Sequence, residues 1–128
     1  MNKFLKFTLL VIGLVGFFSS CQYKFNVEPI IPPPDPMDTI YFSQDVAPIW
    51  NIDDKCTSCH KTGSTPPDLT TDNAYAAVVP AFVNTDQPDE SSIYTFTHPD
   101  TETHSWKKYT SSEAAIILQW IEQGAINN

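Results

Sequence analysis

The residues best able to do chemistry stand in one short run, Cys56-Thr57-Ser58-Cys59-His60, within "DKCTSCHKTG". Two thiols three positions apart, followed at once by an imidazole, fit three kinds of chemistry. As a Cys-x-x-Cys-His motif, the thiols can add to the two vinyl groups of a haem as thioethers, leaving His60 beneath the iron as its proximal ligand. As zinc ligands, Cys56 and Cys59 could join His98 and His104 in a Cys2His2 tetrahedron. That set spans a far longer gap than common zinc fingers do, and it leaves His60 without a task. As a dithiol the pair could close a structural or catalytic disulfide, but the βαβ pattern that surrounds a thioredoxin-like motif is missing. Haem alone uses all three residues.

The start of the chain bears on the compartment. Met1 to Ser20 carries Lys3 and Lys6, then an apolar run from Phe7 to Phe18, then two serines before Cys21. A basic start, a short apolar stretch and small residues before a processing point describe an export signal. An apolar run of about 12 residues is too short for the ~20 that span a bilayer as a helix. "FSSC" also resembles a bacterial lipobox, with Phe18 where leucine is usual. Lipidation of Cys21 would account for the odd third cysteine and leave Cys56 and Cys59 as the working pair. Prolines clustered in "EPIIPPPDPM" describe an extended spacer. The expected organisation is a leader over 1–20, a spacer over 21–37 and one domain over 38–128. Its expected location is the cell envelope, lipid-anchored to the inner or outer membrane and facing the periplasm or the cell surface. Export agrees with the haem reading, because bacteria attach haem covalently outside the cytoplasm.

Without its leader the chain keeps all fifteen acidic residues against five lysines, with no arginine. A nucleic acid or an anionic lipid surface needs a basic footprint, so neither is an expected partner. No nucleophile with a paired base and no acidic dyad stands out, which argues against a substrate-transforming enzyme.

The elements that must position the motif read as helices and loops. In "YFSQDVAPIW", Ser43 or Asp45 could cap a helix whose apolar positions are Val46, Ile49 and Trp50. Asp45 is preferred, because it puts Pro48 in the first turn. "GSTPPDLTTD" is loop by composition. "TDNAYAAVV" predicts a short helix capped by Thr71 or Asp72 and stopped by Pro80, and "DESSIYTFTH" another short helix or turn. "TSSEAAIILQWIEQG" is the clearest helix. Thr110 and Glu113 have capping-box spacing, Ile117, Trp120 and Ile121 form its apolar face, and Gly124 stands where a left-handed terminator belongs. Period-two alternation is nearly absent, so the expected fold class is all-α.

Taken together, "DVAPIW", "CTSCHKTG", "PPDLTTDNAYAAVV", "DESSIYTFT" and "LQWIEQGAINN" resemble small bacterial lipoproteins with a class I-like cytochrome c domain, over about residues 40–128. The resemblance implies one covalent haem c in a small helical fold whose N-terminal and C-terminal helices cross. Val46, Ile49 and Trp50 would there meet Ile117, Trp120 and Ile121, and Pro66 or Pro67 would pack beside His60. Such domains usually supply a methionine to the distal face of the iron shortly before the last helix. Here the methionines are Met1 and Met37, and none follows Cys59. "HSWKKYT" takes that place, which makes His104 the expected distal ligand, His98 the second candidate and an open or water-bound site the third. A second imidazole gives a lower potential than a thioether.

The expected function is a membrane-tethered monohaem cytochrome that passes single electrons between exported redox proteins, alone or as the haem subunit of a larger oxidoreductase. Two alternatives stay open. One is a haem-based ligand-binding or sensing module with an open sixth site, and the other a non-haem interaction domain held by a disulfide or zinc.

Overall fold

The computed structural model of the chain describes residues 32–128. The expected leader, the lipidation at Cys21 and the spacer as far as residue 31 therefore lie outside the described residues. All regular structure among the described residues is helical, in agreement with the missing period-two alternation. Helix α1 begins as a π-helical segment, Phe42–Val46, and continues as Ala47–Asn51. Helices α2, α3 and α4 span Ala74–Val78, Ser92–Thr95 and Ser111–Glu122. Tight 3-10 turns cover Ile52–Asp54 and Pro88–Glu90. No helix among the described residues is long and apolar enough to cross a membrane.

The start of α1 differs from the expectation. The chain enters the helix at Phe42, before either expected cap, and Asp45 lies inside the first turn. Its Oδ2 accepts a hydrogen bond from the Tyr41 N–H at 2.7 Å, so it reaches back to a donor that the helix itself leaves unpaired. Pro48 explains the widened turn before it. A proline inside an α-helix collides with the carbonyl four residues back, and a π turn shifts that carbonyl away. Two further donors at this end go to Asn128. Asn128 accepts the Phe42 N–H on its side chain at 2.7 Å and the Ser43 N–H on its backbone at 3.0 Å.

Helix α2 also starts later than expected. Asn73 holds the N-cap position, not Thr71 or Asp72, and makes no side-chain cap. The loop before it is ordered differently. Asp68 accepts hydrogen bonds from the hydroxyls of Thr62 and Thr70, the Thr70 N–H and the Asn73 amide. Asn73 is thereby turned toward Asp68 and away from its own helix. Pro80 ends α2 as expected, with Val79 before it in an extended conformation.

In α4 the cap is as the sequence reads. The Thr110 hydroxyl accepts the Glu113 N–H at 3.2 Å, and the Glu113 carboxylate accepts the Thr110 N–H at 2.6 Å. Gly124 follows at φ +92°, a left-handed conformation that glycine adopts without a Cβ clash.

Helices α1 and α4 pack on each other, and Val46, Trp50, Ile117, Trp120 and Ile121 are wholly buried. Phe42 joins them, its ring 6.0 Å from Trp50, 5.4 Å from Trp120 and 5.2 Å from Tyr75. Each large apolar side chain buried here contributes about 1.5–3 kcal/mol. Helices α2 and α3, of 5 and 4 residues, are too short to persist alone and depend on this core.

Two outcomes follow from these caps and loops. Replacing Thr110 by Ala removes one half of the capping box and should cost about 1 kcal/mol, read as a lower urea midpoint of the full chain at unchanged slope. The Asp68 carboxyl is held down to about 2, chiefly by the Thr62 and Thr70 hydroxyls. Its folded value lies below the ~3.9 of an unfolded aspartate. Its stabilisation is therefore complete above that range and lost as pH falls toward 2. Urea midpoints of wild type and Asp68→Asn should differ most near neutrality and converge toward pH 2; a gap that stays constant would refute this role.

Candidate cofactor site

The Cys56–His60 stretch hangs from the end of α1. The backbone carbonyl of Trp50 accepts the N–H groups of Cys56 at 2.9 Å and Thr57 at 3.3 Å. The stretch then closes on itself, the His60 N–H donating to the Cys56 carbonyl at 2.9 Å. From the other side the Leu69 N–H donates to the His60 carbonyl at 3.0 Å, so the Pro66–Pro67 loop folds back beside the motif. Lys55, just before the motif, is paired with Glu113 of the α4 capping box at 2.6 Å. One carboxylate thus caps α4 and anchors the attachment segment.

These contacts open the motif onto a cavity of about 420 Å3, within the range of small-molecule and cofactor sites. Its walls are largely apolar: Pro66 and Pro67 from the loop after the motif, Leu69, Phe82, Ile93 from α3, and Phe96. Cys56, Cys59 and His60 line it on one side, and His104, Trp106 and Lys107 come from the loop before α4. Phe96 and Trp106 are among the most exposed large apolar side chains of the described residues, so the rim of the cavity is apolar as well.

The structure brings His60 and His104 together and leaves His98 out. The His60 and His104 rings have centroids 6.3 Å apart with their planes inclined at 32°. The Nδ1 of each is buried without a hydrogen-bond partner. His98 does not line the cavity. It packs edge-on against Tyr94 at 5.1 Å, accepts the Asp100 N–H on Nδ1 at 3.3 Å and lies 3.7 Å from the Asp100 carboxylate.

Imidazole nitrogens on opposite sides of one metal ion, each roughly 2 Å from it, put the ring centres roughly 6 Å apart. The observed spacing matches that arrangement. No group of three or more His, Cys, Asp or Glu able to hold a metal ion occurs among the described residues. The proposed Cys2His2 zinc set is accordingly not assembled, since His98 lies away from the two cysteines' cavity. A bare ion between His60 and His104 would lack ligands. An iron that arrives with its four macrocycle nitrogens needs only two more, one on each face. The donor set and the apolar walls therefore fit a haem.

Cys56 and Cys59 are both free thiols, Cys56 half-buried and Cys59 exposed. Burial pushes the Cys56 thiol up to about 11, with Glu113 adding to the rise and Lys55 and Lys107 opposing it. At neutral pH it stays a thiol, unlike the low-pKa thiolate of a disulfide-exchange site.

Tyr109 and Lys107 are among the lining residues that the sequence reading missed. Tyr109, buried next to the α4 cap, takes a hydrogen bond from the Trp50 indole N–H on its hydroxyl at 2.8 Å. Burial raises its ionisation well above the ordinary range, so it stays a neutral phenol. Lys107 donates from its Nζ to the Asp54 carbonyl at 3.0 Å and to the Ser58 hydroxyl at 3.1 Å. None of these three contacts leaves a local pattern, because the partners stand 59, 53 and 49 residues away.

No protein-family description, curated protein or solved structure matches this chain.

Proposed function

We propose that the chain is a monohaem c-type cytochrome, an electron carrier in a cytochrome c-like helical fold. The observation that carries this reading is the pair of facing imidazoles, His60 and His104, 6.3 Å apart at a cavity also lined by Cys56 and Cys59. Cys56 and Cys59 would hold the haem through thioethers, and His60 and His104 would be the protein ligands to its iron. When bound, the haem supplies a one-electron iron couple.

The chain's own residues do the rest. Leu69, Phe82, Ile93 and the two prolines line the cavity with apolar surface and would keep water from the bound group. Tyr109 offers a neutral polar wall, held by Trp50. The exposed Cys59, Phe96 and Trp106 leave one edge of the site at the surface, where a partner protein could approach within electron-transfer distance. Two imidazoles would set a lower potential than in methionine-ligated relatives. In this reading the protein is exported, tethered through Cys21, and passes electrons between exported redox proteins rather than transforming a substrate.

The test uses the full chain expressed in a bacterium with haem-attachment machinery, stripped of loose haem under denaturing conditions. Oxidised and reduced spectra should show covalent haem, six-coordinate and low-spin, without a methionine–iron charge-transfer band. His104→Ala should turn high-spin, and His104→Met should raise the midpoint potential. An unchanged His104→Ala spectrum would move the distal role to His98. Failure to attach haem in a competent host would sink the reading and return the thiols to a disulfide or another metal.

A further inference from the structure

The loop that carries His104 is mostly bonded to itself. The Tyr109 N–H donates to the Thr97 carbonyl at 2.9 Å and closes its base. The Thr101 and Thr103 hydroxyls pair at 2.6 Å, Thr103 donates to the Phe96 carbonyl at 3.2 Å, and Lys108 donates to the carbonyls of Pro99 and Thr101. The His104 ring is not held by any of these bonds. Among the described residues, Lys107 is the one side chain between Pro99 and Lys108 whose hydrogen bonds reach the attachment segment. Its two acceptors, the Asp54 carbonyl and the Ser58 hydroxyl, lie directly before the motif and between its cysteines.

The backbone at both ends of this contact is unusual. Lys107 has φ +53°, and the gripped Asp54 and its neighbour Asp53 have φ +51° and +50°. Left-handed conformations are uncommon for residues other than glycine, and they persist where surrounding contacts hold them. From Lys107, which lines the cavity, the side chain runs from the His104 loop to the attachment segment.

We propose that Lys107 is a positioning residue, a clasp that holds the His104 loop against the Cys56–His60 segment and keeps His104 seated on the distal face. The proposal rests on the haem reading for its consequence, but the clasp itself does not need haem. With the clasp intact, the loop opens rarely and an added ligand must wait for it. With the clasp removed, the open fraction rises, and ligand entry rises with it.

Two measurements on the full chain test this. Hydrogen exchange over residues 99–108 should be about tenfold faster in Lys107→Ala, near wild type in Lys107→Arg and intermediate in Ser58→Ala. Carbon monoxide binding to the reduced haem protein should accelerate by a similar factor in Lys107→Ala, while its resting spectrum stays low-spin. Equal exchange in wild type and Lys107→Ala overturns the clasp, whether or not haem is attached. Faster exchange with an unchanged carbon monoxide rate overturns its control of the distal site. Absence of covalent haem overturns the functional reading instead, and exchange then still decides the clasp.

Discussion

Trp50 joins the core to the cofactor site, and both depend on it. Its ring is wholly buried between the two packed helices. Its carbonyl receives the N–H groups that open the Cys56–His60 stretch, and its indole N–H is fixed on Tyr109 in the cavity wall. A buried indole N–H without an acceptor is costly, so Tyr109 and Trp50 hold each other in place. Because one residue carries all three roles, the motif is positioned directly by the buried core. An attachment segment on a free loop would have no such reference.

The rest of the frame is held less by regular structure than by side chains bonding to distant backbone. Gln119 of α4 and Gln123, the residue that follows the helix, donate to the Asp38 carbonyl at 2.9 and 2.8 Å, and Gln123 accepts the Ile40 N–H at 2.9 Å. Asn51 donates to the Leu69 carbonyl at 3.1 Å, and Tyr75 to that of Ala125 at 3.0 Å. Among the described residues α2 and α3 are only 5 and 4 residues long, and the loops around them carry many backbone groups that no helix pairs. These polar side chains satisfy them, and the same bonds set the loops at fixed positions around the cavity.

Electrostatics follow the same economy. The chain is strongly acidic, yet lysines gather at the cavity: Lys55 and Lys107 line it. Lys55 is bound to Glu113, whereas Lys107 meets only neutral oxygens, so its charge is not cancelled by its hydrogen-bond partners. A cation bonded to neutral acceptors can be released at less cost than a buried ion pair, which suits a contact that opens and closes.

The sequence by itself determined whatever is written in neighbouring residues. The Cys56–His60 motif, the Thr110–Glu113 cap, Gly124, the stop at Pro80 and the apolar face of α4 all lie within a few positions of one another, and local sterics and hydrogen bonding decide them. The starts of α1 and α2 were misread because distant groups won. Asn128 supplies acceptors at Phe42 and Ser43, and the Asp68 network draws Asn73 away from its helix. The sequence ranked His104 ahead of His98 by its place before the last helix, and the tertiary structure sets His104 at the cavity beside His60 and His98 away from it. Both are histidines in polar loop sequence, and which one faces His60 depends on how the loop before α4 folds across the end of α1. Lys107 and Tyr109 entered the site by the same route, as side chains whose partners are remote in the chain and adjacent only once it is packed.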